Sequence, residues 1–286
     1  HARLGSGRLS ALKDEGWLTP GEYRAARRTS DFLWRVRNEA HFSTGRRTDF
    51  LSLDLQAELA PRLGYEAKRG LLDSELFMRD YYRRASELHE VSRGFLLRHL
   101  ESRPRRVFPV LRPRTRRLRG FEVREGRLLA RGADFPKGPA ALLEAVEVSQ
   151  VEDLGVSDEL KLQLSSHAGF VDRAFRSSPE ATGALIRLLG RRGHVGAAMR
   201  TLHETGILGR LLPEWARISF LVQHDLYHRY TVDEHTLLAI RTLHHIGKKE
   251  DELTQRFARL ADELKAPANL CFALLYHDVG KGRAED

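Results

Sequence analysis

Cysteine and long apolar runs are what this sequence has least of. Its 286 residues include one cysteine, Cys271, which excludes an internal disulfide framework and is expected to be a small core residue. No stretch approaches the ~20 apolar residues of a membrane span, and no signal peptide is recognisable. We therefore expect a soluble, cytoplasmic globular protein without a membrane partner.

Helical signals dominate the first hundred residues. Thr19 and Glu22 have the spacing of a capping box, and Phe32, Val36 and Ala40 then recur at helical spacing. Two further helical stretches are predicted: Leu51 to Leu63 and Leu71 to Leu100. The pattern predicts a helical bundle, in which four aromatic residues are expected to pack rather than to bind a cofactor: Trp34, Phe77, Tyr81 and Tyr82.

The pattern changes near the middle of the chain. Between Gly120 and Ala130, two short alternating runs flank Glu125-Gly126, which predicts a small β-hairpin insertion. Helical spacing returns from Ala140 onward, so the expected fold class is mainly α. The helices predicted there are Leu142 to Val151, Asp158 to Ala174, Pro179 to Leu189 and Ala197 to Thr205.

The most informative motif is the run Tyr276-His277-Asp278-Val279-Gly280-Lys281-Gly282 near the carboxyl end. It places an imidazole beside a carboxylate, and these donors suit a hard or borderline divalent metal ion. The preceding run, Leu270 to Leu275, is apolar enough for a buried helix, which Gly280 is available to stop. Two polar groups at the inner end of such a helix suggest a function.

A second cluster of histidines and acids lies upstream, within Gln223 to Leu237. Thr231 and Glu234 again have the spacing of a capping box, so a helix is predicted to begin there and to carry His235 in its first turns. The core positions predicted for this helix are Leu238 and Leu243. No single helix can surround an ion, so a histidine from one helix and a His-Asp pair from another are what a helical metal site needs.

The order His235, then His277-Asp278, resembles the HD-domain metal-dependent phosphohydrolases, whose ligands run His, His-Asp and a later Asp. Gln223 to Leu237 and His277 to Gly282 look more closely like segments of the bifunctional uridylyltransferase/uridylyl-removing enzyme that modifies the PII nitrogen-signalling protein. Other segments resemble the helical region that joins the two catalytic domains of that family: Asp31 to Arg37, Phe50-Leu51 with Asp54-Leu55-Gln56, and Phe77 to Ala85. The resemblance spans most of the chain.

The resemblance implies that His235, His277 and Asp278 hold a divalent metal, and their mixed nitrogen and oxygen donors suit Mn²⁺ or Mg²⁺. The ligand types alone leave zinc or iron open. Lys281 is a candidate to meet a phosphate oxygen near the helix end. The remaining catalytic candidates, which would orient a water, add a ligand or shuttle protons, are His224, Asp225 and His228.

The resemblance also implies a reaction, the hydrolysis of the phosphodiester that joins UMP to a tyrosine of PII. PII and a uridine nucleotide are then the expected partners in nitrogen signalling. A metal would be needed because a divalent ion lowers the pKa of a bound water and stabilises charge on phosphoryl oxygens. In that family glutamine acts as an effector, through domains that this sequence does not contain.

The sequence departs from the family pattern at both ends. Gly5-Ser6 resembles the start of a nucleotidyltransferase signature, but no pair of acids separated by one residue follows at a usable distance. No distal Asp ligand is present either, because Asp286 is too close to His277-Asp278. We therefore expect an internal segment that is inactive by itself. Its expected domains are a helical linker (1–108), a basic loop with the β-hairpin (109–139), and a helical region leading into a truncated HD domain (140–286).

Positive charge is concentrated in one stretch. Lys and Arg outnumber Asp and Glu by 48 to 39, which favours anionic partners. Prolines between residues 98 and 119 exclude a continuous helix there. The arginines of this stretch are Arg98, Arg103, Arg105, Arg106, Arg112, Arg114, Arg116, Arg117 and Arg119. They could contact phosphate or RNA, but the scarcity of aromatic residues favours a surface facing acids of a nucleotidyltransferase domain.

Two other function classes stay open. An HD phosphohydrolase associated with nucleic acid would bind the nucleic-acid backbone through the arginine stretch, and its RNA binding would depend steeply on salt concentration. A non-catalytic regulatory module would use the site only to bind a nucleotide. We favour the uridylyl-removing enzyme, for which nucleic acid is not an expected partner.

Overall fold

The computed structural model describes residues 8–68, 70–101, 115–132, 135–223, 230–243, 246 and 251–282. The chain divides into two compact units. The first comprises His1–Val107, Phe220–Thr231 and Ala284–Asp286, and the second comprises Phe108–Ser219 and Val232–Arg283. The domain boundaries expected at residues 108 and 139 stay predictions.

Helices dominate the described residues of both units, and the sheet is small. The expected mainly α fold class is therefore confirmed. Within the described ranges, no helix combines the length and the apolar character that crossing a membrane would require.

The first unit is a helical bundle. Its helices are α1 (Leu9–Asp14), α2 (Pro20–Thr44), α3 (Leu53–Arg62) and α4 (Asp73–Leu96), and a π-helical turn, Leu97–Glu101, follows α4. The predicted capping box begins α2. The Thr19 N–H donates to Glu22 Oε2 at 2.9 Å, and the Glu22 N–H donates to Thr19 Oγ1 at 3.2 Å. These bonds satisfy two donors that the start of a helix would otherwise leave unpaired.

The core of the first unit lies where α2, α3 and α4 meet. Phe32, Val36 and Ala40 face it from α2, as their spacing predicts. They share this core with Leu59 of α3 and Phe77 of α4, which are both fully buried. A continuous apolar stripe along α2 therefore holds the other two helices in place.

Two aromatic residues predicted to pack, Trp34 and Tyr82, are exposed instead, by 58% and 43%. Position 34 lies two residues after Phe32, which is about 200° around the helix, so its ring faces away from the core. The Arg37 guanidinium lies over the Trp34 ring at 5.5 Å. Helical spacing thus places Phe32 correctly and excludes Trp34 from the same face.

Asp80 of α4 anchors a polar cluster in the first unit. Its carboxylate accepts hydrogen bonds from Tyr65 Oη at 2.8 Å, from Arg84 Nε at 2.9 Å and from Arg83. Burial alone would raise the pKa of Asp80, but these hydrogen bonds outweigh it and lower the pKa. Burial, followed by the nearby Asp80 carboxylate, raises the pKa of Tyr65.

The second unit contains a four-stranded sheet in the order β1-β2-β3-β4. The strands are β1 (Arg116–Leu118), β2 (Phe121–Arg124), β3 (Arg127–Ala130) and β4 (Gly155–Val156). The predicted hairpin is the antiparallel pair β2–β3, and its turn residues Glu125 and Gly126 have φ angles of 51° and 72°. Left-handed angles at both positions are what a two-residue turn of this kind requires. The strands β1 and β4 are too short to give a periodic signal and were not predicted.

Most of the second unit is helical. Its helices are α5 (Pro139–Val151), α6 (Asp158–Ser166), α7 (Arg173–Arg176), α8 (Pro179–Gly190), α9 (Val195–Glu204), α10 (Ile207–Leu211), α11 (Pro213–Ile218), α12 (Val232–Leu243), α13 (Glu252–Glu263) and α14 (Pro267–Tyr276). Two 3₁₀ turns, Ala168–Phe170 and Val279–Gly282, also belong to the described part of this unit. The prediction of one helix from Asp158 to Ala174 was wrong. Asp172 Oδ1 accepts the Phe175 N–H at 2.8 Å and so caps a new helix there.

The centre of the second unit is formed by α5, α8 and α9. Leu142, Leu188 and Leu202 are fully buried there. Gln150 of α5 is buried with them, and its Nε2 donates to the Leu188 carbonyl at 2.8 Å, which fastens α5 to α8. The helix α12 packs on α9, and α14 packs on α8. Both helices that carry or precede predicted metal ligands are thus attached to one core.

The arginine-rich stretch is described only at its two ends, because residues 102–114 lie outside the described ranges. Arg98 Nη2 lies 2.6 Å from Glu22 Oε1, and Arg116 Nη2 lies 3.6 Å from Glu152 Oε2. These two arginines therefore have partners within their own units. The role of the stretch stays a prediction.

Candidate metal centre

His235 lies near the start of α12, which begins where the capping signal predicts. The helix buries Leu237 and Ile240, which are 2% and 0% exposed, and His235 lies on its exposed side. Leu238 and Leu243, the predicted core positions, are only half-buried. One helical face is thus fixed in the core while the imidazole stays accessible.

His277 and Asp278 follow directly after the last residue of α14. The helix predicted to be buried is buried along one side only: Cys271 and Leu275 are 2% and 0% exposed, whereas Phe272 is 43% exposed. Burial raises the pKa of the Cys271 thiol to about 11, so the thiol stays protonated and is not a ligand candidate. The His-Asp pair therefore lies at an exposed end of a half-buried helix.

Backbone hydrogen bonding orients His277. Its Nδ1 lies 2.6 Å from the Leu274 carbonyl oxygen, an acceptor only, so Nδ1 carries the proton and donates. Nε2 is then the ring nitrogen that remains to bind a metal, which is the arrangement usual for metal-binding histidines. Gly280, predicted to stop the helix, lies in the 3₁₀ turn, since α14 has already ended at Tyr276.

The structure brings the three predicted ligands together. His235, His277 and Asp278 each offer one ligand atom, and these atoms all lie within 4.8 Å of one another. The imidazole centroids are 5.6 Å apart, and His277 Nε2 lies 3.2 Å from Asp278 Oδ2. Bonds of roughly 2.0–2.2 Å to one ion place two ligand atoms at most about 4.4 Å apart. The donor set therefore fits one divalent ion after small side-chain movements, and its mixture of nitrogen and oxygen leaves Mn²⁺, Mg²⁺, zinc and iron open.

Lys281 lies beside Asp278. Its Nζ is 3.0 Å from Asp278 Oδ2, the same oxygen that faces His277 Nε2. The sequence predicted a contact between Lys281 and a phosphate oxygen, and that role stays a prediction. In this structure the ammonium group is the counter-ion of the candidate ligand.

The other catalytic candidates, His224, Asp225 and His228, lie outside the described residues. Their proposed roles therefore stay predictions. Among the described residues, the candidate metal cluster consists of His235, His277 and Asp278 alone.

A buried polar pair behind His235 was missed at the sequence level. Asp233 is fully buried, and its Oδ2 lies 3.4 Å from Nε2 of His203 on α9. Nothing in the sequence pattern links the two residues, because Asp233 follows His203 by thirty residues. Burial lowers the pKa of His203, and the Asp233 carboxylate offsets this only in part. At neutral pH His203 is therefore a neutral imidazole.

Fold and site together define a mainly helical protein with a candidate His, His-Asp metal centre. Two family models match the chain: "GlnD PII-uridylyltransferase" over residues 5–96 and "Uridylyltransferase GlnD third domain" over residues 121–211. Both matched ranges end before His235. A comparison with solved structures finds no match.

Curated relatives align over nearly the whole chain, and each is named bifunctional uridylyltransferase/uridylyl-removing enzyme. The Ruegeria pomeroyi relative is 35% identical over 281 residues, which is 95% of this chain and 30% of that protein. The Azotobacter vinelandii and Stutzerimonas stutzeri relatives are 35% and 36% identical over 99% of this chain and 32% of each protein. The chain belongs to this uridylyltransferase family. It spans about a third of the length of these relatives.

Proposed function

We propose that this chain contributes metal-dependent phosphodiester hydrolysis, the removal of UMP from uridylylated PII protein. One observation carries the proposal: the ligand atoms of His235, His277 and Asp278 lie within 4.8 Å of one another, so small side-chain movements would let them share one divalent ion. The name of the relatives includes a uridylyl-removing activity, which supports this reaction over other phosphoester hydrolyses.

His235, His277 and Asp278 would hold the ion, Mn²⁺ or Mg²⁺ by preference. When bound, a divalent ion supplies a water of lowered pKa and neutralises charge on the phosphoryl oxygens. His277 presents Nε2 because the Leu274 carbonyl holds the proton on Nδ1. Lys281, displaced from Asp278 by the ion, would be free to contact a phosphoryl oxygen.

The accessibility of the centre supports a protein substrate. His235 and His277 are exposed, and the Lys281 side chain is 31% exposed. A pocket for a free small molecule usually buries most of its ligand. An open centre on the described surface can instead receive a nucleotide that is attached to the surface of another protein. We propose that uridylylation, the reverse modification, uses a transferase site that this chain does not carry.

The test is UMP release from uridylylated PII by the product of the complete gene, with and without Mn²⁺. We expect release only with the metal, and its loss in His277→Ala and Asp278→Ala. His89→Ala is the control, because His89 is an exposed histidine of the first unit. Metal-dependent release that persists in both site variants would refute the assignment of the site.

The 286-residue chain produced alone provides a second test. We propose that it lacks part of the catalytic pocket and releases no UMP. Appreciable Mn²⁺-dependent UMP release by this chain would show that its own residues are sufficient for hydrolysis.

A further inference from the structure

The short helix α11 contacts both segments that carry candidate metal ligands. On one side, burial together with the nearby Glu214 carboxylate raises the pKa of Tyr276, the residue directly before His277. The 3₁₀ turn that follows Asp278 also packs closely on α11. A Cβ atom added at Gly282 would lie 3.0 Å from Ile218 Cγ2. The segment with His277 and Asp278 is thus fixed to α11 before and after the ligands.

On its other side α11 begins a chain of buried polar contacts. Trp215 is 1% exposed, and its Nε1–H donates to His203 Nδ1 at 3.1 Å. The two rings meet edge to face, at 82° and with centroids 5.8 Å apart. Because Nδ1 of this neutral imidazole accepts, Nε2 carries the proton and faces Asp233 Oδ2 at 3.4 Å. The contacts run from α11 through α9 to α12.

The end of this chain lies close to a candidate ligand. Asp233 belongs to the first turn of α12 and precedes His235 by two residues. The next residue, Glu234, forms an ion pair with Arg200. Arg200 and His203 are three residues apart and so lie on one face of α9. The first turn of α12 is therefore attached to α9 at two consecutive positions.

Two attachments at one end of a helix resist rotation about its axis. Side-chain tips lie roughly 6 Å from a helix axis, so a rotation of about 20° moves them by about 2 Å. That distance is comparable to a whole metal–ligand bond. Small changes in the rotation of α12 would consequently remove His235 from the ion that His277 and Asp278 share.

We propose that Trp215, His203 and Asp233 form a chain of buried polar contacts that positions His235 relative to His277 and Asp278. The inference rests on the proposed metal site. The three residues are positioning residues, since they act through α12 and are not among the ligands. An apolar cluster could fill the same space, but the polar chain satisfies each buried group only in one arrangement.

The test uses Trp215→Phe, which keeps an aromatic ring and removes the N–H. Mn²⁺ affinity is measured from the electron paramagnetic resonance signal of free Mn²⁺, and the thermal unfolding of the metal-free protein is measured in parallel. Loss of groups that orient ligands typically weakens metal binding by about 10–100-fold. We expect at least a tenfold weaker Mn²⁺ affinity, with Asp233→Asn less affected than Asp233→Ala because its amide oxygen can still accept from His203.

Leu164→Ala is the matched control, because Leu164 is fully buried in α6 of the same unit and belongs to none of these contacts. It should lower the unfolding temperature at least as much as Trp215→Phe and leave Mn²⁺ affinity unchanged. Unchanged affinity in Trp215→Phe, or equally weakened affinity in the control, would overturn the proposal.

The same data separate this inference from the proposed function. A wild-type protein that binds Mn²⁺, loses this binding in His277→Ala and releases no UMP would overturn the function only. In that case a tenfold weaker affinity of Trp215→Phe would still support the positioning role. A wild-type protein that binds no Mn²⁺ would overturn both.

Discussion

Replacing Lys281 by Met should tighten metal binding and slow hydrolysis. The ammonium group lies 3.0 Å from Asp278 Oδ2, so it occupies one coordination direction of a candidate ligand. A divalent ion that bonds this oxygen must displace Lys281. The methionine side chain has similar length and no charge, so it removes the competition with little change in volume.

The expected magnitude follows from the exposure of this pair. The Lys281 and Asp278 side chains are 31% and 14% exposed, so solvent screens their attraction. Pairs of this kind contribute about 0.5–1 kcal/mol. Since about 1.4 kcal/mol corresponds to a factor of ten, losing the competitor should tighten Mn²⁺ binding about 2–5-fold. Relief of repulsion between the ammonium and the ion acts in the same direction.

The assay is Mn²⁺ titration of the wild-type protein and Lys281→Met, with UMP release measured on the same samples. Lys265→Met is the control, because Lys265 is exposed and lies just before the first residue of α14. Asp278 lies just after the last residue of this helix, which is about 15 Å long. Its affinity should stay close to wild type. Unchanged or weaker Mn²⁺ binding by Lys281→Met would refute the idea that Lys281 competes for Asp278.

Three further predictions concern stability. Phe77→Ala should lower the free energy of unfolding, measured by chemical denaturation, by about 3–5 kcal/mol. Phe42 is 78% exposed, so Phe42→Ala should change this free energy by less than about 0.5 kcal/mol. Similar values for the two variants would contradict the position of the core. Gly282→Ala should lower the free energy of unfolding by about 1–3 kcal/mol, because the added Cβ would lie 3.0 Å from atoms of α11. Gly280→Ala is its control, because a Cβ added there has no atom within 4 Å. The pKa of folded Asp80 is lowered, so its stabilisation is present above about pH 4 and is lost as the pH falls. Asp80→Asn should therefore flatten the fall in unfolding free energy between about pH 5 and pH 2, and an unchanged slope would contradict this assignment.

Local chemistry made much of the fold predictable. The capping box of Thr19 and Glu22 predicts where α2 begins, because side-chain and backbone groups within four residues satisfy one another. Glu125-Gly126 predicts the hairpin turn for a similar reason, since the turn depends on the backbone angles of these two residues. Such signals need no information about distant parts of the chain.

Contacts between distant residues could not be predicted in this way. The parallel pairing of β3 with β4 joins segments on either side of α5, and neither strand is long enough to show a period. The contact of Trp215 with His203 likewise depends on how α9 and α11 pack.

The candidate site likewise combines features that local sequence predicts with contacts that it does not predict. The helix start before His235 and the adjacency of His277 and Asp278 are local features, whereas their convergence was expected from the family resemblance. The ion pair of Lys281 with Asp278 could have been predicted, because three residues separate them in a helical turn. The buried Asp233 could not, since an acid in a first helical turn is ordinarily exposed to solvent.

The most direct measurement is a crystal structure of the protein soaked with Mn²⁺, with anomalous diffraction used to locate the ion. We expect an anomalous peak within about 2.3 Å of a nitrogen of His235, a nitrogen of His277 and an oxygen of Asp278, with the Lys281 ammonium moved away from that oxygen. A protein that is saturated with Mn²⁺ and shows no peak between these three side chains would contradict the assignment of the metal site.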